Sequence, residues 1–240
     1  MSEAIQEDPF AYATYNKFFT RQLKPACRPI DETPNAIVCP ADGAIAQIGK
    51  IYNNQILQAK GHNYSVQSLL GGMDDLAAPF INGSFATVYL APKDYHRVHM
   101  PLTGNLKKML YIPGKLFSVN THAAENIPNV FARNERVVAI FETEVGSMAV
   151  ILVGAMIVGS IETSWAGTIC PPHSKNIQTW DYSDMPTITI AKGAEMGLFK
   201  LGSTVIVLFG PEVTTWDQNI TTTLDVKMGS RIGLTKVIME

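Results

Sequence analysis

The stretch RVVAIFETEVGSMAVILV, residues 136–153, contains two apolar runs, 136–142 and 148–153, separated by turn-forming residues. Apolar runs of this length, rich in Val and Ile and bounded by turn residues, indicate β-strands. Further strands are predicted at 36–39, 44–48, 55–59, 85–90, 105–112, 156–161, 204–209 and 231–238. The last of these is expected to close the sheet. We therefore predict a mainly β (α+β) fold, an antiparallel β-sandwich or barrel-like body with a few short helices, mostly N-terminal.

Short helices are predicted at two places in the first third of the chain. The spacing of Tyr12, Tyr15 and Phe19 fits one face of a short helix that packs on the main body. Ser65 can cap a second helix through residue 70, and the pair Gly71-Gly72 would end it.

Two later stretches are predicted to lack regular structure. Residues 118–134 show no clear period and are expected to be irregular. Residues 171–187, PPHSKNIQTWDYSDMPT, are polar and rich in proline, which is typical of a surface loop.

The composition is that of a globular chain with few charges. The 240 residues are 46% hydrophobic and 17% charged, and the formal net charge is −2. We expect one domain across residues 1–240, and the absence of a Lys/Arg cluster argues against a nucleic-acid partner. No apolar run reaches bilayer length, and residues 1–8 lack the pattern of a signal peptide.

Three cysteines, Cys27, Cys39 and Cys170, are scattered along the chain. Their spacing does not fit a metal site. An odd, low count favours buried free thiols and a reducing compartment.

Two short segments contain residues that could take part in catalysis. Gly202, Ser203 and Thr204 form a small corner before an apolar run, and on local composition alone this corner is a turn. His96 and His99 lie three residues apart in PKDYHRVHMP, residues 92–101. Histidine suits proton transfer near neutral pH, although a structural role is the ordinary alternative for each.

Asp42 lies in the sequence PADG, residues 40–43. An Asp-Gly pair is a common turn. The functional alternative is a carboxylate that orients a catalytic histidine and stabilises its charged form.

Seven motifs occur in order along nearly the whole chain: PADG (40–43), KGHNYS (60–65), DYHRVHMP (94–101), FSVN (117–120), NERV (134–137), VGAMIVGSIET (153–163) and GLFKLGSTV (197–205). Together they resemble the pyruvoyl-dependent phosphatidylserine decarboxylases of bacterial type. The chain departs from the family's VGAT-type segment at Met156. Bacterial members usually begin with a longer apolar and basic segment that contacts the membrane, and the resemblance implies that residue 1 corresponds to a position after that segment.

The resemblance implies a proenzyme that cleaves its own Gly202–Ser203 bond. The Ser203 hydroxyl would attack the Gly202 carbonyl, His99 would take the proton as general base, and Asp42 would hold His99. Ser203 would then become a covalent pyruvoyl group. His96 is expected to return a proton to the substrate carbon. If both histidines serve one site, residues 94–99 should form a turn or a short helix.

The resemblance also implies the products and partners. Cleavage would give a β chain of residues 1–202 and an α chain of residues 203–240, held together as a heterodimer. The pyruvoyl group would form a Schiff base with the amine of phosphatidylserine and accept electrons as carbon dioxide leaves, giving phosphatidylethanolamine. Neither a metal nor pyridoxal phosphate is expected. The enzyme would lie peripherally on the cytoplasmic face of the cell membrane, and a homodimer is a further option.

The other histidines and two alternative functions complete the prediction. His62, His122 and His173 are assigned structural roles, the last two in loops.

One alternative function is a histidine phosphocarrier domain of the sugar-transport type, in which His96 or His99 would be phosphorylated. The other is a non-enzymatic lipid-binding β-module, in which Gly202-Ser203 is only a turn.

Overall fold

The computed structural model describes residues 1–59, 61–156, 160–170, 173–200 and 203–236. Within these residues the α-helices are α1 Tyr15–Phe19, α2 Val66–Leu69, α3 Asp74–Ala77, α4 Thr121–Asn126 and α5 Val130–Arg133, with 3-10 helices at Pro9–Ala11, Pro25–Cys27 and Ala78–Phe80. The strands are β1 Ala36–Val38, β2 Gly43–Lys50, β3 Gln55–Ala59, β4 His62–Ser65, β5 Ser84–Leu90, β6 Arg97–His99, β7 Gly104–Ile112, β8 Arg136–Thr143, β9 Gly146–Val153, β10 Ile161–Thr163, β11 Gly167–Cys170, β12 Gln178–Asp181, β13 Thr189–Ile190, β14 Glu195–Phe199, β15 Ser203–Phe209, β16 Thr214–Trp216, β17 Asp225–Val226 and β18 Arg231–Thr235.

These strands form antiparallel sheets, and the mainly β prediction is confirmed. The largest sheet has the strand order β12-β7-β8-β9-β15-β5-β2-β17, and β13 also pairs with β7. Smaller sheets have the orders β1-β18-β16, β11-β10-β14-β6 and β3-β4.

Strand β15 lies in the middle of the large sheet. It pairs along its length with β5 on one side and β9 on the other, and all of its side chains are buried. A strand that is covered on both faces needs a continuous apolar sequence, which the run VIVLF at 205–209 supplies.

The predicted N-terminal helix is shorter than its aromatic spacing suggests. Thr14 accepts a hydrogen bond from the Lys17 backbone N–H at 3.2 Å, so α1 begins at Tyr15 and Tyr12 lies outside it. The second helix is confirmed, because the Ser65 hydroxyl accepts from Ser68 N at 3.0 Å and caps α2.

The prediction of an irregular segment at 118–134 is wrong. Helix α4 forms there because the Asn120 side chain accepts from Ala123 N at 2.9 Å. Helix α5 begins where the Gln58 side chain accepts from Val130 N, also at 2.9 Å. The second contact comes from a residue far away in sequence, so no local pattern could reveal it. His122 consequently lies in a helix and not in a loop.

Three other predicted segments also need correction. Part of the predicted loop 171–187 forms β12, which pairs with β7, while residues 171 and 172 lie outside the described residues. The predicted strand 156–161 is not regular at Met156, which lies in a turn, and 157–159 are outside the description. The strand predicted at 231–238 is β18, but it joins the small sheet with β1 and β16 and does not close the large one.

The cysteines are free thiols, as predicted. Cys39 and Cys170 are buried, whereas Cys27 is partly exposed. Burial raises the pKa of the Cys39 thiol to about 12, so this thiol stays protonated at neutral pH.

Candidate active site

Two of the predicted site residues, Ser203 and Asp42, lie at the same end of the large sheet. Ser203, the first residue of β15, pairs with Leu90, the last residue of β5. Asp42 directly precedes β2, whose Ala44 pairs with Tyr89 of β5. Because antiparallel neighbours begin where their partners end, the starts of β2 and β15 lie beside the end of β5.

Ser203 is fully buried, and its hydroxyl oxygen has no hydrogen-bond partner among the described residues. Buried hydroxyl groups are nearly always hydrogen-bonded, so an unpartnered one at a strand end is unusual. Gly202, the predicted other half of the cleavage site, lies outside the described residues.

His99 is held by a carbonyl group and a tyrosine. Its Nδ1 lies 2.8 Å from the Gly193 carbonyl oxygen, and its Nε2 lies 3.1 Å from the Tyr95 hydroxyl. A carbonyl oxygen only accepts, so the proton is assigned to Nδ1 and the lone pair to Nε2. Burial lowers the pKa of His99, an effect that the Gly193 carbonyl opposes. His99 is therefore an uncharged imidazole whose Nε2 can accept a proton.

The predicted hydrogen bond between Asp42 and His99 is not present. The Asp42 carboxylate is almost fully buried and accepts from Arg28 Nε at 2.8 Å and from Met228 N at 2.9 Å. Lys227 Nζ lies 3.4 Å from the same carboxylate. A buried carboxylate is stabilised best by a guanidinium group, and Arg28 takes that place. The Asp42 charge is thus balanced mainly by Arg28. The Gly193 carbonyl, and not Asp42, orients the His99 ring.

The chain segments that contain Asp42 and His99 are nevertheless linked by a backbone hydrogen bond. The His99 backbone N–H donates to the Pro40 carbonyl at 2.8 Å, two residues before Asp42. The site therefore keeps the carboxylate and the imidazole on neighbouring stretches of chain, although their side chains bond to other groups.

His96 occupies a different environment from His99. It is fully buried, its ring stacks on Phe19 with centroids 3.9 Å apart, and neither ring nitrogen makes a hydrogen bond. Burial lowers its pKa to about 4, and the positive charge of Arg21 acts in the same direction. The carbonyl groups of Ala91 and Pro92 oppose this shift without reaching hydrogen-bond geometry.

The predicted turn or short helix at 94–99 is wrong. Asp94 lies in a bend, His96 has no regular structure, and His99 ends strand β6. The pairing of β6 with β14 explains the strand, and the Phe199 N–H donates to the His96 carbonyl at 3.0 Å. This sheet contact is long-range and could not be read from the histidine spacing.

Sequence reasoning missed a buried acid at the same end of the sheet. Glu135 is buried, and its Oε2 accepts from the Tyr111 hydroxyl at 2.6 Å and lies 2.7 Å from His173 Nδ1. His173 had been assigned a structural role. The signal available in the sequence was an acidic residue in NERV directly before the apolar strand β8.

Comparison with known proteins identifies the family. A family model described as phosphatidylserine decarboxylase matches residues 15–234. The chain belongs to the phosphatidylserine decarboxylase family. The phosphatidylserine decarboxylase proenzymes of Pseudomonas putida and Pseudomonas entomophila are 62% and 63% identical to it over 214 residues, 88% of this chain and 74% of each relative. The proenzyme of that name from Shewanella amazonensis is 60% identical, over 88% of this chain and 75% of its own.

Membership of the phosphatidylserine decarboxylase family confirms the resemblance drawn from the seven motifs. It also argues against the phosphocarrier and non-enzymatic alternatives, because neither belongs to this family.

Proposed function

We propose that this chain decarboxylates phosphatidylserine to phosphatidylethanolamine after cleaving itself at Gly202–Ser203. The observation that carries the proposal is the buried, unpartnered hydroxyl of Ser203 in the Gly-Ser-Thr motif of a decarboxylase family member. A pyruvoyl group derived from Ser203 would supply an electron sink for the loss of carbon dioxide. The residues around Ser203 suit such a group, because an apolar, buried strand end excludes water from it.

In the proposed maturation, the Ser203 hydroxyl attacks the carbonyl carbon of Gly202. His99 accepts the hydroxyl proton at Nε2, which carries the lone pair because Nδ1 faces the Gly193 carbonyl. Tyr95, which now donates toward Nε2, must move aside. The Asp42 carboxylate raises the pKa of His99 through space, an effect that its ion pair with Arg28 weakens. The Gly202–Ser203 amide becomes an ester, and β-elimination breaks the ester C–O bond and releases residues 1–202 with a terminal carboxylate. The dehydroalanine left at position 203 adds water and loses ammonia to give the pyruvoyl group at the start of residues 203–240.

His96 remains our proposal for the proton donor in the decarboxylation. With a pKa near 4 its imidazole is uncharged at neutral pH and carries one N–H. Its stacking on Phe19 fixes the ring plane, so that the proton is presented in one direction.

The N-terminal segment is the proposed contact with the lipid surface. Phe10 is 94% exposed and Tyr15 is 62% exposed, and Tyr15 lies on the same helix as Phe19, which touches His96. Exposed aromatic side chains next to a site for lipid chemistry suit a peripheral enzyme at the cytoplasmic face of the membrane. Among the described residues, none of the helices has the length and apolar character needed to cross a bilayer.

The proposal is tested by a denaturing gel and a carbon dioxide assay. Purified protein should show a large and a small fragment, the small one with a blocked N-terminus, and should release carbon dioxide from phosphatidylserine but not from free serine. Ser203→Ala should abolish cleavage and activity together, while Ser147→Ala, at a hydroxyl on the far end of β9, should change neither. A Ser203→Ala protein that still decarboxylates would refute the pyruvoyl mechanism, and a His99→Ala protein that matures normally would remove His99 from its role.

A further inference from the structure

The register of three adjacent strands, continued by one residue beyond β9 and before β8, places Ser203 and Glu135 in one row. Thr204 pairs with Val153, which pairs with Arg136, and the Gly154 N–H donates to the Glu135 carbonyl at 2.8 Å. Position 154 therefore lies between Ser203 and Glu135 in one row across the strands. Side chains within such a row share a face, and two strand spacings amount to about 10 Å. Since position 154 is glycine, no side chain of that residue separates the serine from the carboxylate.

Glu135 is a buried carboxylate whose charge is not cancelled by a fixed cation. Its side chain is 5% exposed, and within the described chain no Lys or Arg forms an ion pair with it. The neighbouring Arg136 is on the opposite face and donates to the carbonyl groups of Leu69, Ser68 and Asn134. Asp42, in contrast, is already neutralised by Arg28.

The Glu135 carboxylate lines a cleft that is open to solvent. An open cleft of about 160 Å³ is lined by Tyr111, Glu135, His173 and Ser174. At roughly 30 Å³ per water molecule, this volume holds about five waters, or a small amine-bearing headgroup. The His173 side chain is 48% exposed, so its ring connects the buried acid with solvent.

We propose that Glu135 binds the ammonium group of the substrate and accepts its proton, while Nδ1–H of His173 holds the carboxylate beside the open cleft. This inference rests on the proposed function, because an amine must lose a proton before its nitrogen can attack a carbonyl carbon. An N–H bond of the ammonium breaks as an O–H bond forms at Glu135, which neutralises both groups. The carboxylate accepts from Nδ1–H of His173, so that ring orients it, and the O–H proton of Glu135 then passes to water in the open cleft that both residues line. The Tyr111 hydroxyl holds the carboxylate in place.

The experiment compares the capture of two amines by the mature protein. Phosphoethanolamine carries an ammonium group at pH 7, whereas methoxyamine is uncharged. Each is incubated with cleaved protein and cyanoborohydride, and the mass gained by the small fragment is followed over time. Because one charge-assisted contact is worth roughly 1.5–3 kcal/mol, Glu135→Gln should slow phosphoethanolamine capture at least about tenfold and leave methoxyamine capture within about twofold.

Two further variants complete the design. Glu142→Gln removes an exposed acid from the other end of β8 and should alter neither rate. His173→Gln, at a half-exposed position, should slow only the ammonium-bearing amine, and it serves as the test if Glu135→Gln does not fold or mature.

The outcomes separate this inference from the proposed function. If wild-type protein is not cleaved, or is cleaved and captures neither amine, the proposed function fails. If wild type captures both amines and the Glu135 and His173 variants slow both equally, or slow neither, the role of Glu135 is refuted while the proposed function stands.

Discussion

The burial of His96 should make the protein labile to mild acid. The ring is fully buried against Phe19, with no hydrogen-bond partner at either nitrogen, so the folded protein can bind a proton there only with difficulty. In the unfolded chain the same imidazole is hydrated and protonates readily. Acid therefore favours the unfolded state through this residue.

The size of the effect follows from the two pKa values of His96. Burial lowers the pKa from 6.5 to about 4, and Arg21 adds to the effect. Between these values the unfolded chain binds more protons than the folded one, so the contribution to stability is complete above pH 6.5 and is lost as the pH falls toward 4. At about 1.4 kcal/mol per pH unit the total is about 3 kcal/mol, of which about 2 kcal/mol is lost between pH 7 and pH 5.

Urea unfolding at pH 7, 6 and 5 measures this loss. The Ser203→Ala background keeps the chain in one piece, so the transition involves a single polypeptide. His96→Phe keeps an aromatic ring against Phe19 and should lose about 2 kcal/mol less over this pH range than its parent. His122→Gln removes an exposed histidine and should follow the parent. If the His96→Phe protein and its parent lose equal stability between pH 7 and pH 5, the assignment of a neutral buried ring is wrong.

Two further substitutions test the surroundings of Asp42. Arg28→Met removes the main partner of the buried carboxylate and should lower the free energy of unfolding by about 3 kcal/mol in urea, whereas Glu3→Gln, at the exposed end of the same cluster, should cost less than about 0.5 kcal/mol. Equal losses would contradict a dominant Arg28–Asp42 pair. Gly43→Ala would place a Cβ 2.1 Å from the Tyr89 carbonyl oxygen and should lower the stability by about 3 kcal/mol or more, while Gly49→Ala on the same strand meets its nearest atom at 3.9 Å and should be tolerated. A stable Gly43→Ala protein would show that β2 and β5 can separate there.

The strands could be predicted from sequence where the apolar runs were continuous. Residues 205–209 are an apolar run because β15 is covered on both faces, so composition alone marks them as a buried strand. Strand β12 was missed because QTWD has no apolar run of its own; it becomes a strand by pairing with β7. Helix α5 was missed for the same kind of reason, since the Gln58 side chain that binds its start comes from β3.

The family resemblance selected Asp42, His99 and Ser203 as site residues, and their roles stay predictions. Their contacts could not be predicted in the same way. The hydrogen-bond partners depend on which chain segments meet, and no motif encodes that Arg28 would reach Asp42 or that the Gly193 carbonyl would face His99. Glu135 was missed because its position relative to Ser203 depends on the sheet register, which places both residues in one row.

The same register explains how the proposed cleavage can leave an assembled site. Strand β15 would begin the small fragment, yet it pairs along its length with β5 and along all but its first residue with β9. Burial of the five side chains at 205–209, at roughly 1.5–3 kcal/mol each, amounts to about 8–15 kcal/mol that separation of the fragments would forfeit. Strand β18 of the same fragment is also held between β1 and β16. A cut before Ser203 thus frees one chain end, while the pairing of β15 keeps that end opposite Leu90 at the end of β5.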